Sequence, residues 1–269
     1  MAGALRYARL LFALARYGLA REFAFRANFL AKIFVEVLWL FILLVFYRTI
    51  FTKTSVVANW TEAEYLFFVG CYFALEGLIE TLFLSNCTEF AELVRTGDLD
   101  FFLIRPIDEQ FLITCRAIDW STAPNVVMGA VVMGLALDQL GWPADAVQVV
   151  GFFVLFTCGV ALAYSFLLML TSTAVWLVRN QNLMEMWWLF TSLMRYPREI
   201  FQGNWAGPLG WTFTFVFPVM LVVSVPAQTM VKAFAPGFAA FMVLVTVLML
   251  WLSRRVLHRA LRSYRSASS

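Results

Sequence analysis

Charge is scarce in this sequence. Only 14% of its 269 residues are Asp, Glu, Lys or Arg, against roughly 25% in soluble domains, and long stretches carry none. This excludes a soluble enzyme, and so large an apolar share excludes a disordered tail. Histidine occurs once, as His258 in a basic tail, which removes zinc sites of the H-E-x-x-H type and any Ser-His or Cys-His catalytic arrangement in the apolar part of the chain. The three lysines, Lys32, Lys53 and Lys232, each follow a residue other than Gly. No G-x-x-x-x-G-K-[ST] phosphate loop exists, and ATP is not bound by that route. Four cysteines, Cys71, Cys87, Cys115 and Cys158, show no C-x-x-C spacing, so neither a disulfide scaffold nor a metal site is expected. The first residues lack the short basic region and apolar core of a secretory leader, because Arg6, Arg9, Arg16, Arg21 and Arg26 are spread through them. That segment is expected to be retained.

Apolar residues fill the space that charge leaves. They make up 62% of the chain, and the mean hydropathy is +0.80. A span needs about 20 residues to cross the hydrocarbon, so the length suits an all-α integral membrane protein of six spans in a single transmembrane domain over 1–269. Residues 1–26 alternate arginines with Leu and Phe at helical spacing, which predicts an amphipathic helix lying in the interface. The first span is expected from Asn28 to Phe51, with Lys32 and Glu36 one turn apart, where they can neutralise each other or snorkel. A second runs from Glu64 to Leu84, a third from about Ala117 to Leu137, and a fourth from Val147 to Val178, ending in the polar patch at 179–182. Ala130 with Gly134, and Gly159 with Ala163, are small residues four apart that would let helices approach closely.

Pro197, Pro208, Pro218, Pro226 and Pro236 interrupt the segment 196–236, which predicts broken, re-entrant helices. The fifth span begins at Leu183, or else lies at Gly210 to Met230 with 183–200 at the interface. Either leaves six. The last span covers Gly237 to Leu252 and precedes a basic tail, 253–269. Five arginines near each end, against one lysine in the loops at 52–61 and 138–146, put both termini in the cytoplasm. Arg195 and Arg198 dissent, since the favoured fifth span carries them to the outer side.

Between spans two and three, residues 86–116 form the most polar stretch. Its centre runs Arg95-Thr-Gly97-Asp98-Leu99-Asp100-Phe-Phe102-Leu103-Ile-Arg105-Pro106. Gly97 and Pro106 would set the ends of a short element, with Leu99, Phe101, Phe102 and Leu103 exposed beside Asp98, Asp100 and Arg105 for docking in a groove of another protein. The rival reading is a solvated loop whose apolar residues lie on the membrane.

This segment resembles the Arg-x-x-Gly-(Thr/Glu)-Leu-(Asp/Glu)-x-Leu-Leu-x-x-Pro element of type-2 ATP-binding-cassette permeases. Arg195-Tyr-Pro-Arg-Glu-Ile-Phe201, Phe217-Pro218 and Val225-Pro226-Ala227 are similar to the compact six-span branch of that family. The resemblance implies a coupling helix at 86–116 that contacts a nucleotide-binding ATPase. It also implies a second permease chain, identical or related, two ATPase copies, and outward transport across a bacterial cytoplasmic membrane. ATP and Mg would be bound by the partner, with no cofactor and no nucleic acid on this chain. Phe101-Phe102 departs from the family's aliphatic residues there.

Glu76 and Glu80, one turn apart in span two, are the most conspicuous intramembrane charges. Such carboxylates face a polar pathway, pair with an arginine on a neighbouring helix or stay protonated, and their role is in the transport path or structural. A rival function is an ion-gradient-driven carrier or channel with this pair as proton couplers, for which an inverted repeat is expected. None is visible between 27–137 and 147–257. A third reading is a membrane scaffold. The sequence does not name a substrate.

Overall fold

An amide in hydrocarbon pairs only within its own protein, and the long apolar runs accordingly fold as helices. The computed structural model describes residues 2–141, 143, 145–177, 181–203, 206–232 and 234–264, with the side chains of 2–4 and 181–183 left aside. Val178, residues 179 and 180 of the polar patch and residues 265–269 of the basic tail lie outside the described residues. The order is α1 (Ala2–Ala24), α2 (Arg26–Phe51), β1 (Val56–Val57), β2 (Trp60–Thr61), α3 (Glu62–Ile79), a π-helical turn Glu80–Leu84, and α4 (Ser85–Thr96). Next come α5 (Asp100–Leu103), α6 (Glu109–Cys115), α7 (Ala123–Leu140), α8 (Ala146–Leu177), α9 (Gln181–Met194) and a 3-10 turn Arg198–Phe201. The chain continues with α10 (Gly207–Phe215), a second 3-10 turn Pro218–Met220, α11 (Leu221–Val231) and α12 (Pro236–Ser263).

Five helices among the described residues are long and apolar enough to cross a membrane, or six if α10 and α11, bent by 80° at their junction, count as one span. The second of them exceeds the expected Glu64–Leu84. It runs unbroken over Glu62–Thr96, because Asn86, Cys87, Phe90, Ala91 and Val94 give α4 a continuous buried face. Its 35 residues reach about 50 Å at 1.5 Å per residue, so α4 projects beyond any 30 Å hydrocarbon slab.

Two ends of the bundle can be distinguished. At one, β1 and β2 form a hairpin in which Val56 faces Thr61 and Val57 faces Trp60. Ala58 and Asn59 take positive φ of 49° and 65° at its turn, the geometry of a two-residue hairpin loop. Thr61 then caps α3 in a reciprocal box with Glu64, its N–H donating to Glu64 Oε2 at 2.8 Å. At the opposite end, α4, α5 and α6 form an elbow around a second apolar core that joins Phe90, Leu99 and Ile113 to Leu168 of α8 and Leu257 of α12. Helix α1 lies against the elbow, with Trp120 Nε1 donating to Ala15 O at 2.9 Å.

Helices α3 and α7 pack backbone to backbone. A Cβ at Gly129 would stand 2.5 Å from both Ala74 N and Gly70 O, whereas one at Gly134 would meet nothing within 4 Å. The small-residue expectation therefore misses by one position on the helix: Ala130 is exposed and Gly129 carries the contact. The second pair fits better, since Gly159 lies against the Val222 carbonyl of α11 and Ala163 is fully buried. Gly129→Val should destabilise the purified protein by about 1–3 kcal/mol through overpacking, while Gly134→Val leaves its thermal unfolding unchanged. Equal midpoints in a melting assay would contradict this helix pairing.

Candidate functional site

The elbow is built by a glycine stop. Gly97 ends α4 at φ 82°, a left-handed conformation that glycine adopts without strain. The chain then folds back so that Leu99 N donates to Leu93 O at 3.1 Å, and Phe102 N to Leu99 O at 2.9 Å. This reversal drives Leu99 into the second core at 0% exposure. The expectation of an exposed Leu99 is therefore corrected: once α4 continues the span, the first apolar residue past Gly97 falls on the protein side. Phe102 and Leu103 are half-buried against the same core, with the guanidinium carbons of Arg105 and Arg116 at 5.0 and 5.3 Å from the Phe102 ring centroid. The apolar side chains left outside are Phe101, 64% exposed, and Ile104, 80% exposed.

The polar residues brace this turn. Arg95 forms an exposed fork with Glu92 at 2.5 and 2.8 Å, and that bonding holds the Glu92 carboxyl below the usual range. Asp98 accepts from Thr96 Oγ1 at 2.8 Å. Asp100 opens α5, with its N–H on Gly97 O at 3.2 Å. Arg105 is exposed, and the Pro106 carbonyl accepts from Arg6 at 3.4 Å. Asp108 caps α6 through Phe111 N, donates its N–H to Tyr7 OH at 3.0 Å and pairs with Arg254 at 2.9 Å. Helices α1 and α12 thus both hold the elbow.

Asn86 holds the elbow's other arm. Its amide donates to the carbonyls of Leu82, Thr114 and Ala117, and its Oδ1 accepts from Ala117 N at 2.9 Å. In the sequence this residue only opens the polar stretch 86–116, and nothing beside it along the chain signals the role.

A second constellation lies within the bundle. Glu76 and Glu80 line a cleft of about 420 Å³ together with Glu36 of α2, Asn125 of α7 and Arg195 after α9. The π-helical turn at Glu80–Leu84 inserts an extra residue per turn, a device common beside functional sites. Arg195 donates to Tyr72 OH at 3.2 Å, and its guanidinium lies 5.7 Å from the Trp39 ring centroid. The expected Lys32–Glu36 pair does not form. Lys32 Nζ donates instead to Ser121 Oγ at 3.1 Å, and Glu36 accepts from Asn125 Nδ2 at 3.1 Å, because both residues meet the α7 side of the bundle. Sequence reasoning found Glu76 and Glu80 but missed Glu36, Asn125 and Arg195 as their companions. The available signal was Arg195 itself, a charge at the end of an apolar helix.

Polar contacts at the hairpin end tie the proline-rich segment down. Glu199 accepts from Trp60 Nε1 at 3.0 Å, Gln228 Nε2 at 2.6 Å and Arg198 Nε at 2.8 Å. Lys232 donates to Asn59 O at 2.5 Å and lies 3.8 Å from Glu64. Burial opposes ionisation of Glu199, but the bonds from Trp60 and Arg198 outweigh it and hold the carboxyl below its ordinary range. A depressed carboxyl contributes stability that is full above about pH 4.3 and is lost as pH falls through its folded-state value. Wild-type protein should lose melting temperature on acidification below pH 4.3 more steeply than Glu199→Gln. Parallel pH profiles would contradict this latch.

Residues 37–268 match the family model described as ABC-2 family transporter protein. No curated protein and no solved structure matches the chain.

Proposed function

Because the chain belongs to the ABC-2 family of transporter proteins, we propose that it is the permease subunit of an ATP-binding-cassette exporter, driven by a separate ATPase docked on the elbow. The family implies an ATP-binding partner in general. The finer reading has two ATPase copies, a second permease chain, identical or related, and a lipid environment in a bacterial cytoplasmic membrane. ATP and Mg belong to the partner, and nucleic acid has no part.

The observation that carries the reading is the elbow itself. A transport subunit that hydrolyses nothing receives work through a small rigid contact, and Arg95 to Pro106 offers two exposed apolar side chains on a glycine-stopped turn clamped by α1 and α12. Apolar anchors carry most of an interface's binding energy and rim charges less, which gives Phe101 and Ile104 the anchoring role. Asp98, Asp100 and Arg105 set the register.

The proposed topology has six crossings, namely α2, α3–α4, α7, α8, α9 and α12, with the 3-10 turn Arg198–Phe201 beyond α9 at the hairpin end, outside the hydrocarbon. Supporting it, α9 follows α8 from the elbow end, whereas Glu199 bonds to Trp60 at the hairpin end. Lys232 also meets the hairpin, at Asn59, so α10 and α11 leave and return on one side as a re-entrant pair. The arginines at both chain ends then assign the elbow end to the cytoplasm, with α1 in the interface. Six crossings enclose little space, hence the second permease chain, and Glu76 and Glu80 border the pathway.

Tagged chain isolated from its native membrane in mild detergent should carry vanadate-sensitive ATP hydrolysis. An eluate free of any ATP-binding protein would refute the reading.

A further inference from the structure

Helix α2 is the span least held by its own chain. Only 6% of its most apolar stretch is buried, against 67% for the span α3–α4, and toward the hairpin end it stands off from α3 and α7. The gap is a cleft of about 750 Å³, within the roughly 300–1,000 Å³ of small-molecule sites.

All three helices grade from polar to apolar along this cleft. Arg48 lies in the last turn of α2 with Thr52 just past its end, and Leu44 lines the cleft a turn deeper. Glu62 opens α3 and is followed by Leu66 and Val69, while Gln139 in the last turn of α7 is preceded by Leu135 and Val132. Glu62 to Val69, and Gln139 to Val132, each span about 10 Å at 1.5 Å per residue. The four polar residues are exposed, whereas Val69 and Val132 are buried, so the cleft has a wet mouth and an apolar floor. It also opens sideways to the bilayer, since Leu135 is 55% exposed within a span. Such a volume suits an amphiphile, with its chain on the floor and its head at the mouth.

The charges at the mouth select the head. Arg48 and Glu62 have opposite signs, yet among the described residues they pair neither with each other nor with any other charge. A guanidinium and a carboxylate held apart at one opening complement a head that itself carries two separated charges. Phosphate suits the guanidinium fork, and a protonated amine suits the carboxylate. A purely anionic head would satisfy Arg48 but leave Glu62 facing its own sign. A quaternary amine has no N–H to donate to Glu62.

We propose that this cleft holds one phospholipid with a primary-amine head group, its phosphate on Arg48, its ammonium on Glu62 and an acyl chain along Leu44, Leu66, Val69 and Val132. The proposal goes beyond the permease reading, which supplies only the leaflet, the outer one.

The test uses the full chain in a non-ionic detergent and native mass spectrometry, with dioleoyl phosphatidylethanolamine, phosphatidylcholine and phosphatidylglycerol titrated separately. One phosphatidylethanolamine should be retained per chain, at least about threefold more tightly than either of the others, the scale of exposed charge pairs. Glu62→Gln should abolish that preference, and Arg48→Gln should weaken all three lipids at least about threefold. Leu135→Trp, which fills the cleft, should displace all three, whereas Leu244→Trp on the lipid-facing side of α12 should displace none. The proposal is overturned if the choline or glycerol head binds as tightly as the ethanolamine, if Glu62→Gln keeps the preference, or if Leu135→Trp retains lipid as Leu244→Trp does. A second copy of the chain in the cleft, seen as a lipid-free dimer that Leu135→Trp dissociates, would overturn it too. All four substituted residues are exposed, and should a variant still fail to fold, the three lipids on wild-type protein decide. No ATPase takes part, so failure here leaves the permease reading standing, and an eluate without ATPase leaves this lipid result intact.

Discussion

Phe101→Asp combined with Ile104→Asp should release the ATPase, and the purified permease should keep its wild-type melting temperature. Both side chains stand outside the fold, 64% and 80% exposed, so charging them costs the permease itself almost nothing. An apolar pair at the centre of a docking surface is another matter. Burying two unpaired carboxylates there removes the anchors and adds an uncompensated charge, and co-eluting ATP hydrolysis should fall by at least about a hundredfold. Leu99→Ala supplies the contrast. Leu99 fills the second core beside Phe90, Ile113 and Leu257, so its truncation should cost about 2–5 kcal/mol and weaken the elbow whether or not an ATPase is present. A double mutant that retains its ATPase, or that melts early, would remove the elbow from the coupling path.

The second large effect belongs to Arg195. Among the described residues it is the one cation lining a cleft with three carboxylates, and it bonds Tyr72 while lying over Trp39. Arg195 is half-buried, and removing it leaves the carboxylates of the cleft uncompensated at a cost of about 1–3 kcal/mol. Arg195→Gln should therefore depress expression and thermal stability strongly. Arg195→Gln with Glu76→Gln should recover part of that loss, since the second change deletes a charge the first left exposed to its own kind. Additive losses, measured as melting temperatures of single and double variants, would show that Arg195 and Glu76 do not act together.

These residues also mark how far the sequence could be read. Class, approximate span positions and the broken proline segment follow from composition and proline spacing, because backbone satisfaction in hydrocarbon leaves few options. The elbow's position was equally legible from Gly97 and Pro106. Its facing was not. Whether α4 continues the second span decides which side Leu99 takes, and that depends on Asn86 stapling 114–117 to the helix, a long-range contact with no local signature. The same limit separates Gly134 from Gly129, where five residues set the two about 140° apart around the helix, one packing and the other facing open space. Glu76 and Glu80 announce themselves as charges in an apolar run. Glu36, Asn125 and Arg195 join them only through the packing of four helices, and nothing in their spacing along the chain reports it.

The central claim is that work enters this permease through the elbow from an ATP-binding protein. A photo-crosslinking residue placed at Ile104 tests it most directly. On illumination in native membranes, the account predicts a dominant adduct with one protein that binds ATP, absent when the probe is moved to Leu244 on a lipid-facing helix. An adduct at Ile104 only with lipid, or with a protein that binds no nucleotide, would contradict it.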